Sequence, residues 1–488
     1  MTISILGRIS AAARAFTSPV PMATRSYEGA SAGRRWPAGQ SSMPNPARSA
    51  SSDRHTIAAR ASFLAANNAI AARAIALLVS NSVGPGIVGR PIHSDTRQRD
   101  RLLAAFNQFA AEVDFDNAGD LYALQASLAR DLFTTGEALA AWISTPAGWK
   151  LRRLPSGQID AAKMARTAAG GQIDAGCEYL ADGRLTALWL RTGEAADPLS
   201  SFSPSVRVPA ENLIFAYRRD HPGQRRGVSA LAPALLSILD YDAWADATLT
   251  RAKVAALLGG FVHDDAPAED PDIFPGQQSP DSDGAALASL EPGSLQILPP
   301  GKRISFSDPP STNDFSSFGP QVLRLIASAT GVPYCSLASN FGDVNYSSAR
   351  AEMLEFRRLI EQVQHSVLIP QICAPVWRKF LRQEILRGRV SAAAVDANRD
   401  LFACRWTPPR WEQVDPEKAT KAAILQVDNL FRSRASVAAE FGEDVESIDA
   451  EIAADQAREE RLGLTRRTVK AIADTTENED NADANSNA

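Results

Sequence analysis

The amino-acid sequence predicts an α+β protein that is mainly helical, and two features of the chain carry this prediction. In several stretches apolar residues recur every three or four positions, which is the spacing of a helix with one buried face. The clearest example is the series Leu121, Leu124, Leu128 and Leu132. Between residues 137 and 218 the pattern changes to short strand-like runs separated by Gly, Asp and Pro. Helices that precede and follow a block of strands are typical of the α+β class.

The N-terminal part predicts an arm, then helices, then strands. Residues 1–55 are rich in Ser, Ala, Arg, Gly and Pro without any period, so we expect a basic arm that lacks regular structure. A helical pattern starts at Thr56 and ends before the Gly84-Pro85-Gly86 run. Further helices are predicted over residues 97–113 and 118–135. In the strand block, the Asp182-Gly183 pair predicts the turn of a β-hairpin.

The middle of the chain predicts a long helix, an acidic loop and a strand pair. The stretch "GVSALAPALLSILDYDAWADATLTRAKVAALLGGF" predicts a helix within residues 227–259, and about 30 helical residues would be about 45 Å long. Residues 264–283 contain seven acidic residues and no Lys or Arg, which indicates an exposed loop. The next stretch, "GSLQILPPGKRISFSDPP", predicts two paired strands, and residues 317–331 predict a short helix.

A polar loop precedes the most regular helix of the C-terminal half. In "NFGDVNYSSARAEMLEF", residues 340–356, a Gly-containing loop leads into a helix, with Glu352 placed to meet a positive helix N-terminus. Apolar residues then recur at spacings of three and four: Met353, Phe356, Ile360, Val363 and Val367. Pro370 and Pro375 predict a bend or a break. A strand, a proline turn, a further helix, a charged helix over residues 436–462 and a tail without regular structure complete the chain.

Composition and charge argue against several classes of protein. The 488 residues have a net charge of −5, so no overall basic field marks a protein that grips nucleic acid over a broad surface. The four cysteines form no CxxC pair and the five histidines are scattered, so we expect reduced thiols and no metal site. No apolar run approaches the about 18 residues of a membrane helix. We therefore expect no membrane partner and a protein that is soluble in the cytoplasm when made.

One short motif suggests an enzyme, but its surroundings argue against it. The run Gly29-Ala30-Ser31-Ala32-Gly33 matches the G-x-S-x-G pattern around the nucleophile of α/β hydrolases. That pattern requires a strand before it and a helix after it, and neither "PMATRSYE" nor "RRWPAGQSS" predicts one. We therefore expect no catalytic residue and no cofactor. A serine hydrolase that uses Ser31 stays an alternative, and a monomeric nucleic-acid-binding protein is a third.

Four stretches, in their order and spacing, resemble the portal proteins of tailed bacteriophages, in the lambda-type family. They are "SYEGASAGRRW", "AARASFLAANNAIAARAIALLVSNSVGPGI", "HPGQRRGVSALAPALLSILDYDAW" and "GDVNYSSARAEMLEFRRLI", the last supported by "WTPPRWEQVDPEKATKA". The resemblance extends from about Tyr27 to about Leu464. It implies the portal fold, with wing, stem, clip and crown, and a structural protein rather than an enzyme.

The resemblance also implies a function in DNA passage. It implies a ring of about twelve copies at one capsid vertex, through which DNA is packaged into the procapsid and later ejected. The implied partners are further copies of the chain, double-stranded DNA bound without sequence specificity, the terminase large subunit, head–tail adaptor proteins, and the major capsid and scaffolding proteins. The implied location is the virion, after assembly in the host cytoplasm.

The lobes of such a protein can be placed along the chain by resemblance. They are the wing (56–226), the first stem helix (227–260), the clip (261–316), the second stem helix (317–331), the tunnel loop (332–346), the long wing helix with its return (347–425), and the crown with the tail (426–488). The tunnel loop is implied to ring the channel at its narrowest point. Its implied DNA-facing residues are Asn340, Phe341, Asp343, Asn345 and Tyr346. Short polar groups there could touch phosphates weakly, whereas a basic wall would bind them and stall the duplex.

Overall fold

The computed structural model describes most of the chain between residues 46 and 464. The described residues are 46–168, 170–193, 203–256, 260–264, 302–306, 314–340, 342, 346–397, 400, 402–411, 416–440 and 445–464. The α-helices are α1 (Pro46–Asn67), α2 (Ala69–Ser82), α3 (Thr96–Glu112), α4 (Leu121–Thr135), α5 (Leu235–Ala256), α6 (Asp314–Thr330), α7 (Tyr334–Ala338), α8 (Tyr346–Val363), α9 (Ala374–Leu386), α10 (Ala392–Ala397), α11 (Pro416–Asp428), α12 (Arg434–Glu440) and α13 (Val445–Leu462). With the short strands given below, they confirm the predicted α+β class with mainly helical structure.

The strands form small antiparallel sheets. They are β1 (Val88–Ile92), β2 (Glu137–Thr145), β3 (Gly148–Leu154), β4 (Ala165–Arg166), β5 (Gln172–Asp174), β6 (Cys177–Tyr179), β7 (Leu185–Arg191), β8 (Ser205–Pro209), β9 (Leu213–Tyr217), β10 (Gly260–Asp264), β11 (Lys302–Phe306) and β12 (Ala403–Thr407). Their orders are β4-β5-β6-β7-β8, β3-β2-β9, β1-β12 and β10-β11. The predicted hairpin turn at Asp182-Gly183 is confirmed, because it joins β6 to β7 and Gly183 has a φ of +83°.

The first helix begins earlier than the sequence predicts. Helix α1 starts at Pro46, so the expectation of an arm without regular structure over residues 1–55 is wrong for residues 46–55. The cause is a long-range contact, since Arg54 is buried and paired with Glu137. The amino-acid composition of residues 1–55 does not indicate such a pair. Residues 1–45, including Ser31, lie outside the described part of the chain.

Asn68 divides the predicted helix that starts at Thr56 into α1 and α2. Its side-chain oxygen accepts hydrogen bonds from the amides of Ile70 and Ala71, both at 3.0 Å, and so caps the start of α2. The two helices meet at an angle of 99°. Among the described residues no single helix is both long and apolar enough to span a membrane, and α1 and α2 meet that criterion only jointly across their bend.

Helices α3 and α4 confirm the predicted helices to within three residues. Each begins after an aspartate: Asp95 accepts from the amide of Arg97 at 2.9 Å, and Asp120 accepts from that of Ala123 at 2.8 Å. The leucines whose spacing predicted α4 are all buried: Leu121, Leu124, Leu128 and Leu132.

The long helix α5 is shorter than predicted. It covers Leu235–Ala256 instead of residues 227–259 and is preceded by a 3₁₀ turn, Ala232–Ala234. Its length is therefore about 33 Å. Gly227 stays outside the helix because its amide donates to the side chain of Glu137 at 2.8 Å. Helix α5 packs against α6, where the rings of Trp244 and Phe318 lie 5.5 Å apart.

The strand near the acidic loop has a different partner from the predicted one. Lys302–Phe306 pairs with Gly260–Asp264, on the other side of the loop, and Val262 lies opposite Ile304. The prediction paired it with the residues immediately before it. Apolar alternation identifies a strand, but it does not identify the strand that pairs with it. Most of the predicted acidic loop, residues 265–283, lies outside the described residues.

Pro370 does not break the long helix that starts at Tyr346. Helix α8 continues into π-helical turns, Gln364–Cys373, which lead directly into α9. Proline lacks an amide hydrogen and crowds the carbonyl four residues earlier. The wider π turns shift the hydrogen-bond pairing and absorb this defect, so of the predicted bend or break the break is wrong. The predicted apolar seam is buried at Phe356, Ile360, Val363 and Val367.

The C-terminal part confirms a strand and a helix and corrects the last helix. Strand β12 and helix α11 lie where the sequence predicts a strand and a helix. The single charged helix predicted over residues 436–462 is instead two helices, α12 and α13. Gly442, which has a low helix propensity, falls between them in a gap outside the described residues.

An aromatic cluster lies at the centre of the main hydrophobic core. Its members come from α3, α9 and β12: Phe106, Phe109, Trp377, Phe380 and Trp406. The ring of Phe106 lies 5.1 Å from Trp377 and 5.3 Å from Phe380, both nearly edge to face. Segments that are far apart in sequence therefore share one packed centre.

Candidate functional site

The segment from α6 to α8 forms the candidate site and has more regular structure than the sequence predicts. Gly331 turns the chain after α6 with a φ of +71°, and a side chain there would meet Leu359 at 3.0 Å. Helix α7 follows inside the range predicted to be a loop, so the prediction of a loop over residues 332–346 is wrong for 334–338. Ser339, with a φ of +53°, ends α7.

Glu352 of α8 holds the start of α7. Its Oε1 accepts a hydrogen bond from the amide of Tyr334 at 2.5 Å, and its Oε2 accepts from the thiol of Cys335 at 3.4 Å. Burial, and then the hydrogen bond to Glu352, raise the pKa of Cys335, so the thiol keeps the proton that it donates. The sequence placed Glu352 at a positive helix N-terminus, and in the structure that N-terminus belongs to α7 rather than to α8.

Two further contacts tie α7 to its neighbours. Arg73 of α2 donates from Nε to the carbonyl of Ser336 at 3.2 Å. The guanidinium of Arg324 on α6 lies 4.9 Å from the ring centre of Tyr334. Because α2, α6 and α8 all hold α7, the loop that leaves α7 starts from a fixed position.

The structure describes only two of the five residues predicted to face DNA. Asn340 is partly buried directly after α7, and its Oδ1 accepts from the amide of Gly342 at 3.2 Å. Tyr346 is the first residue of α8 rather than part of a loop. Phe341, Asp343 and Asn345 lie outside the described residues. The described chain therefore places the two ends of the predicted loop and does not bring the five residues together.

A cavity of about 620 Å³ opens between α6, α7 and α8 beside this loop. Its lining combines apolar and charged side chains, among them Arg324, Tyr334, Glu352, Phe356 and Leu359. Within the described residues no group of three or more His, Cys, Asp or Glu side chains could hold a metal ion. None of the four cysteines lies in a disulfide, and Cys177, Cys335 and Cys373 are buried.

A buried ion cluster, which the sequence analysis missed, fixes the chain that leads into α5. Glu137 receives two hydrogen bonds from Arg226, at 2.7 and 3.0 Å, and a contact from Arg54 at 2.6 Å. Arg226 also donates to the carbonyl of Ala175 at 2.7 Å, and Arg54 donates to Ser156 at 2.6 Å. The cluster joins α1, β2, the β5–β6 turn and the approach to α5. Arg226 is visible in the sequence next to Gly227, but its partners lie in distant segments and leave no local signal.

Burial and the opposite charges act against each other on the pKa values of this cluster. Burial is the largest single influence on the pKa of Glu137 and raises it. The charges of Arg226 and Arg54 and the hydrogen bonds together outweigh burial and hold this pKa below its ordinary value. Burial also opposes the charge on both arginines. It outweighs the attraction of Glu137 at Arg54, whose pKa is lowered, whereas at Arg226 the negative charge of Glu137, and then the hydrogen bonds to it, outweigh burial and raise the pKa.

Helices α5 and α6 leave large apolar side chains exposed. They are Leu236, Leu239 and Leu249 on α5, and Phe318 and Leu325 on α6. Helix α5 also exposes three carboxylates and carries no Lys or Arg between residues 235 and 250. The carboxylates are Asp240, Asp242 and Asp246. This helix pair therefore offers an apolar surface together with negative charge.

Comparison with known proteins connects this arrangement to one family. The family model described as "Phage portal protein, lambda family" matches residues 33–364. The "Probable portal protein" of Halomonas phage phiHAP-1 is 27% identical over 439 residues, which cover 86% of this chain and 83% of that protein.

Two solved structures are similar at lower identity. One is a chain in "Neck of native GTA particle computed with C12 symmetry", from a gene transfer agent, with 15% identity and a TM-score of 0.47 over 82% of this chain and 95% of that chain. The other is an HK97 family phage portal protein from Corynebacterium diphtheriae, with 15% identity and a TM-score of 0.32 over 67% of this chain and 92% of that chain. The family model alone spans more than half of the sequence, and the chain therefore belongs to the lambda family of phage portal proteins.

Proposed function

We propose that copies of this phage portal protein close into a ring of about twelve subunits whose channel carries double-stranded DNA. DNA enters the procapsid through the ring at one capsid vertex and later leaves the virion by the same path. Family membership supports the portal function itself.

The exposed apolar side chains on α5 and α6 support the ring. Leu236, Leu239 and Phe318 are large apolar groups that stay in water in a single copy. Leu236 and Leu239 are three residues apart on α5 and therefore lie on one face of the helix, and an exposed apolar face is one that another protein can cover. A neighbouring copy can cover it, and a contact that repeats from copy to copy gives a ring when its rotation closes.

We assign the lobes by their place in the chain and in the fold. Residues 56–226 and, after the tunnel loop, 347–425 form the wing, residues 227–260 and 317–331 form the stem, residues 261–316 form the clip, and residues 426–488 form the crown and tail. The terminase large subunit and later the head–tail adaptors would bind the clip, and the major capsid and scaffolding proteins would surround the ring. Assembly would take place in the host cytoplasm, and the role requires no cofactor and no catalytic residue.

The loop between α7 and α8 is proposed to face the DNA, with Asn340, Phe341, Asp343, Asn345 and Tyr346 as its contact residues. Its base is held by Glu352 and Arg73, so repeated copies of the loop would stand at one height in the channel. The acidic surface of α5 favours sliding, because carboxylates repel phosphates and leave only weak contacts that do not depend on sequence.

The ring can be tested by electron microscopy and mass measurement of the purified protein. We expect end-on rings with a central hole, and a particle mass of about twelve chains. The Leu236→Asp, Leu239→Asp double variant should yield mostly single chains, because it places charge on the proposed stem contact. Leu180→Asp, at an exposed wing position, is the control and should leave rings intact. Solitary particles in the unmodified protein would refute the proposal and favour a monomeric binding protein.

The DNA-facing loop can be tested through its charge. We expect Asp343→Lys to slow DNA packaging severalfold in a reconstituted reaction with terminase, and the defect should weaken at higher salt because phosphate contacts release counterions. Asp182→Lys, the same charge change on a wing hairpin, should package at the unmodified rate. Equal rates for both variants, with rings intact, would place the loop away from the DNA.

A further inference from the structure

Two large apolar side chains stand in water at the turn between α11 and α12. Leu430 is 91% exposed and Phe431 is 81% exposed, more than any other large apolar side chain in the described part of the chain. We call this pair the knob. Within the described residues neither side chain belongs to the hydrophobic core.

The backbone of this turn is fixed by hydrogen bonds. The amide of Phe431 donates to the carbonyl of Gln426 at 2.9 Å, and the amide of Leu430 donates to that of Val427 at 3.1 Å. Leu430 has a φ of +62°, a conformation that normally selects glycine. In such helix ends the apolar residue after the turn commonly packs back onto its own helix. Here Phe431 points into solvent instead.

Beside the knob lies a groove of about 480 Å³ between α11, α12 and α13. Its lining is mainly aliphatic and includes Ile424, Val427, Val437, Ala438, Val445 and Ile448. The groove reaches from Asp428 and Arg434, next to the knob, back to Thr420. Thr420 lies two turns of α11 before Asp428, about 12 Å along the helix axis. The knob of one chain therefore cannot reach the far end of its own groove.

We propose that Leu430 and Phe431 of one copy insert into the α11–α13 groove of the next copy. The inference rests on the proposed ring and assigns one of its contacts. Knob and groove occur once each in every chain, so a second copy supplies a matching partner for both. Because the knob stands at one end of the groove, the contact runs in one direction from copy to copy. Such a heterologous contact is the kind that builds a closed ring when its rotation closes, as the proposed ring requires.

The size of the contact predicts how much it contributes. A buried aromatic side chain covers about 150–250 Å². The knob therefore falls well short of the about 1,200 Å² that a specific interface buries in total. It fastens the crown helices of neighbouring copies, while the stem surface supplies the larger part of the interface. Loss of the knob should loosen the ring and leave the fold of each chain unchanged.

A pair of engineered cysteines tests this contact. Phe431→Cys and Thr420→Cys are introduced together with Cys404→Ser, since Cys404 is the one native cysteine that is not buried. A disulfide requires Cα atoms about 4.4–6.8 Å apart, so these two positions cannot bond within one chain. Mild oxidation of the rings should yield covalent dimers and higher multimers on a non-reducing gel. Phe431→Cys paired with Leu386→Cys, exposed on α9, is the control and should yield none.

The possible outcomes separate this contact from the ring itself. Rings that stay uncrosslinked, or a single Phe431→Cys variant that crosslinks to itself, would overturn the knob-in-groove contact and leave the ring proposal standing. Absence of rings in the unmodified protein would overturn both. As a second measurement, rings of the Leu430→Ser, Phe431→Ser variant are diluted. The protein concentration below which they dissociate should be about tenfold higher than for the unmodified protein, and the urea midpoint of the single chain should be unchanged. An unchanged dissociation concentration would also overturn the contact.

Discussion

Replacing Glu137 with glutamine is expected to lower the free energy of unfolding by about 3–5 kcal/mol. Glu137 is completely buried, and its two partners, Arg226 and Arg54, are almost completely buried. Glutamine keeps the size of the side chain but removes its charge. Two arginine charges then remain buried without a counter-charge, and breaking a buried ion pair from one side is far more costly than losing an exposed pair.

The order of effects within the cluster is a sharper test than any single value. Arg54→Met should cost less than Glu137→Gln, because it leaves the Glu137–Arg226 pair intact and electrically neutral. Glu417→Gln is the matched control, since Glu417 pairs with Lys421 at 2.7 Å but on the surface. Exposed pairs contribute little, so this control should change stability only slightly. Urea unfolding at one fixed protein concentration compares the variants. An equal effect of Glu137→Gln and Glu417→Gln would contradict the role of burial.

The same carboxylate makes stability depend on pH in a defined direction. The pKa of Glu137 is lowered in the folded chain from its ordinary value near 4.5. Its stabilisation is therefore fully present above that value and is lost as pH falls through the lower folded value. The difference between unmodified protein and Glu137→Gln should stay constant above about pH 5 and shrink at more acidic pH.

Local periodicity explains why several elements could be predicted from the sequence. Helices α3 and α4 follow from apolar spacing and an aspartate at each start, and both features act within one or two turns. The hairpin at Asp182-Gly183 follows equally from local turn chemistry. The family resemblance was also confirmed, because it depends on the order of short stretches rather than on contacts between them.

Contacts between distant segments explain why the sequence did not predict some helix boundaries and one strand pairing. The start of α1 depends on Arg54 and Glu137, and the delayed start of α5 depends on Glu137 and Gly227. The partner of strand β11 lies across a long loop, and no periodic pattern encodes that choice. The π turns around Pro370 show that a helix with enough buried contacts can absorb a residue that usually ends one.

In the candidate site, too, local features could be predicted from the sequence and contacts between distant segments could not. The sequence indicated a polar loop before α8 and singled out Glu352, and both are local features. It did not indicate α7, whose position depends on Arg73, Arg324 and Glu352 from three separate helices. The five proposed DNA-facing residues stay a prediction, since Phe341, Asp343 and Asn345 lie outside the described residues.

Truncating Phe380 to alanine is the second change with a large expected effect, about 3–5 kcal/mol of unfolding free energy. Its ring is fully buried and contacts the rings of Phe106, Phe109 and Trp377 at 5.1–5.5 Å. Removal leaves a cavity whose walls belong to α3 and α9, and closely packed aromatic rings cannot move enough to fill it.

Leu386→Ala on the same helix is the control for Phe380→Ala, because Leu386 is 72% exposed, and it should change stability by no more than about 0.5 kcal/mol. Urea midpoints at equal protein concentration, with the slope checked for each variant, give the comparison. A small effect of Phe380→Ala would mean that α9 does not pack on α3 as described. The anchoring of the long helix behind the candidate loop would then need another source, since α8, the π turns and α9 form one continuous helical segment.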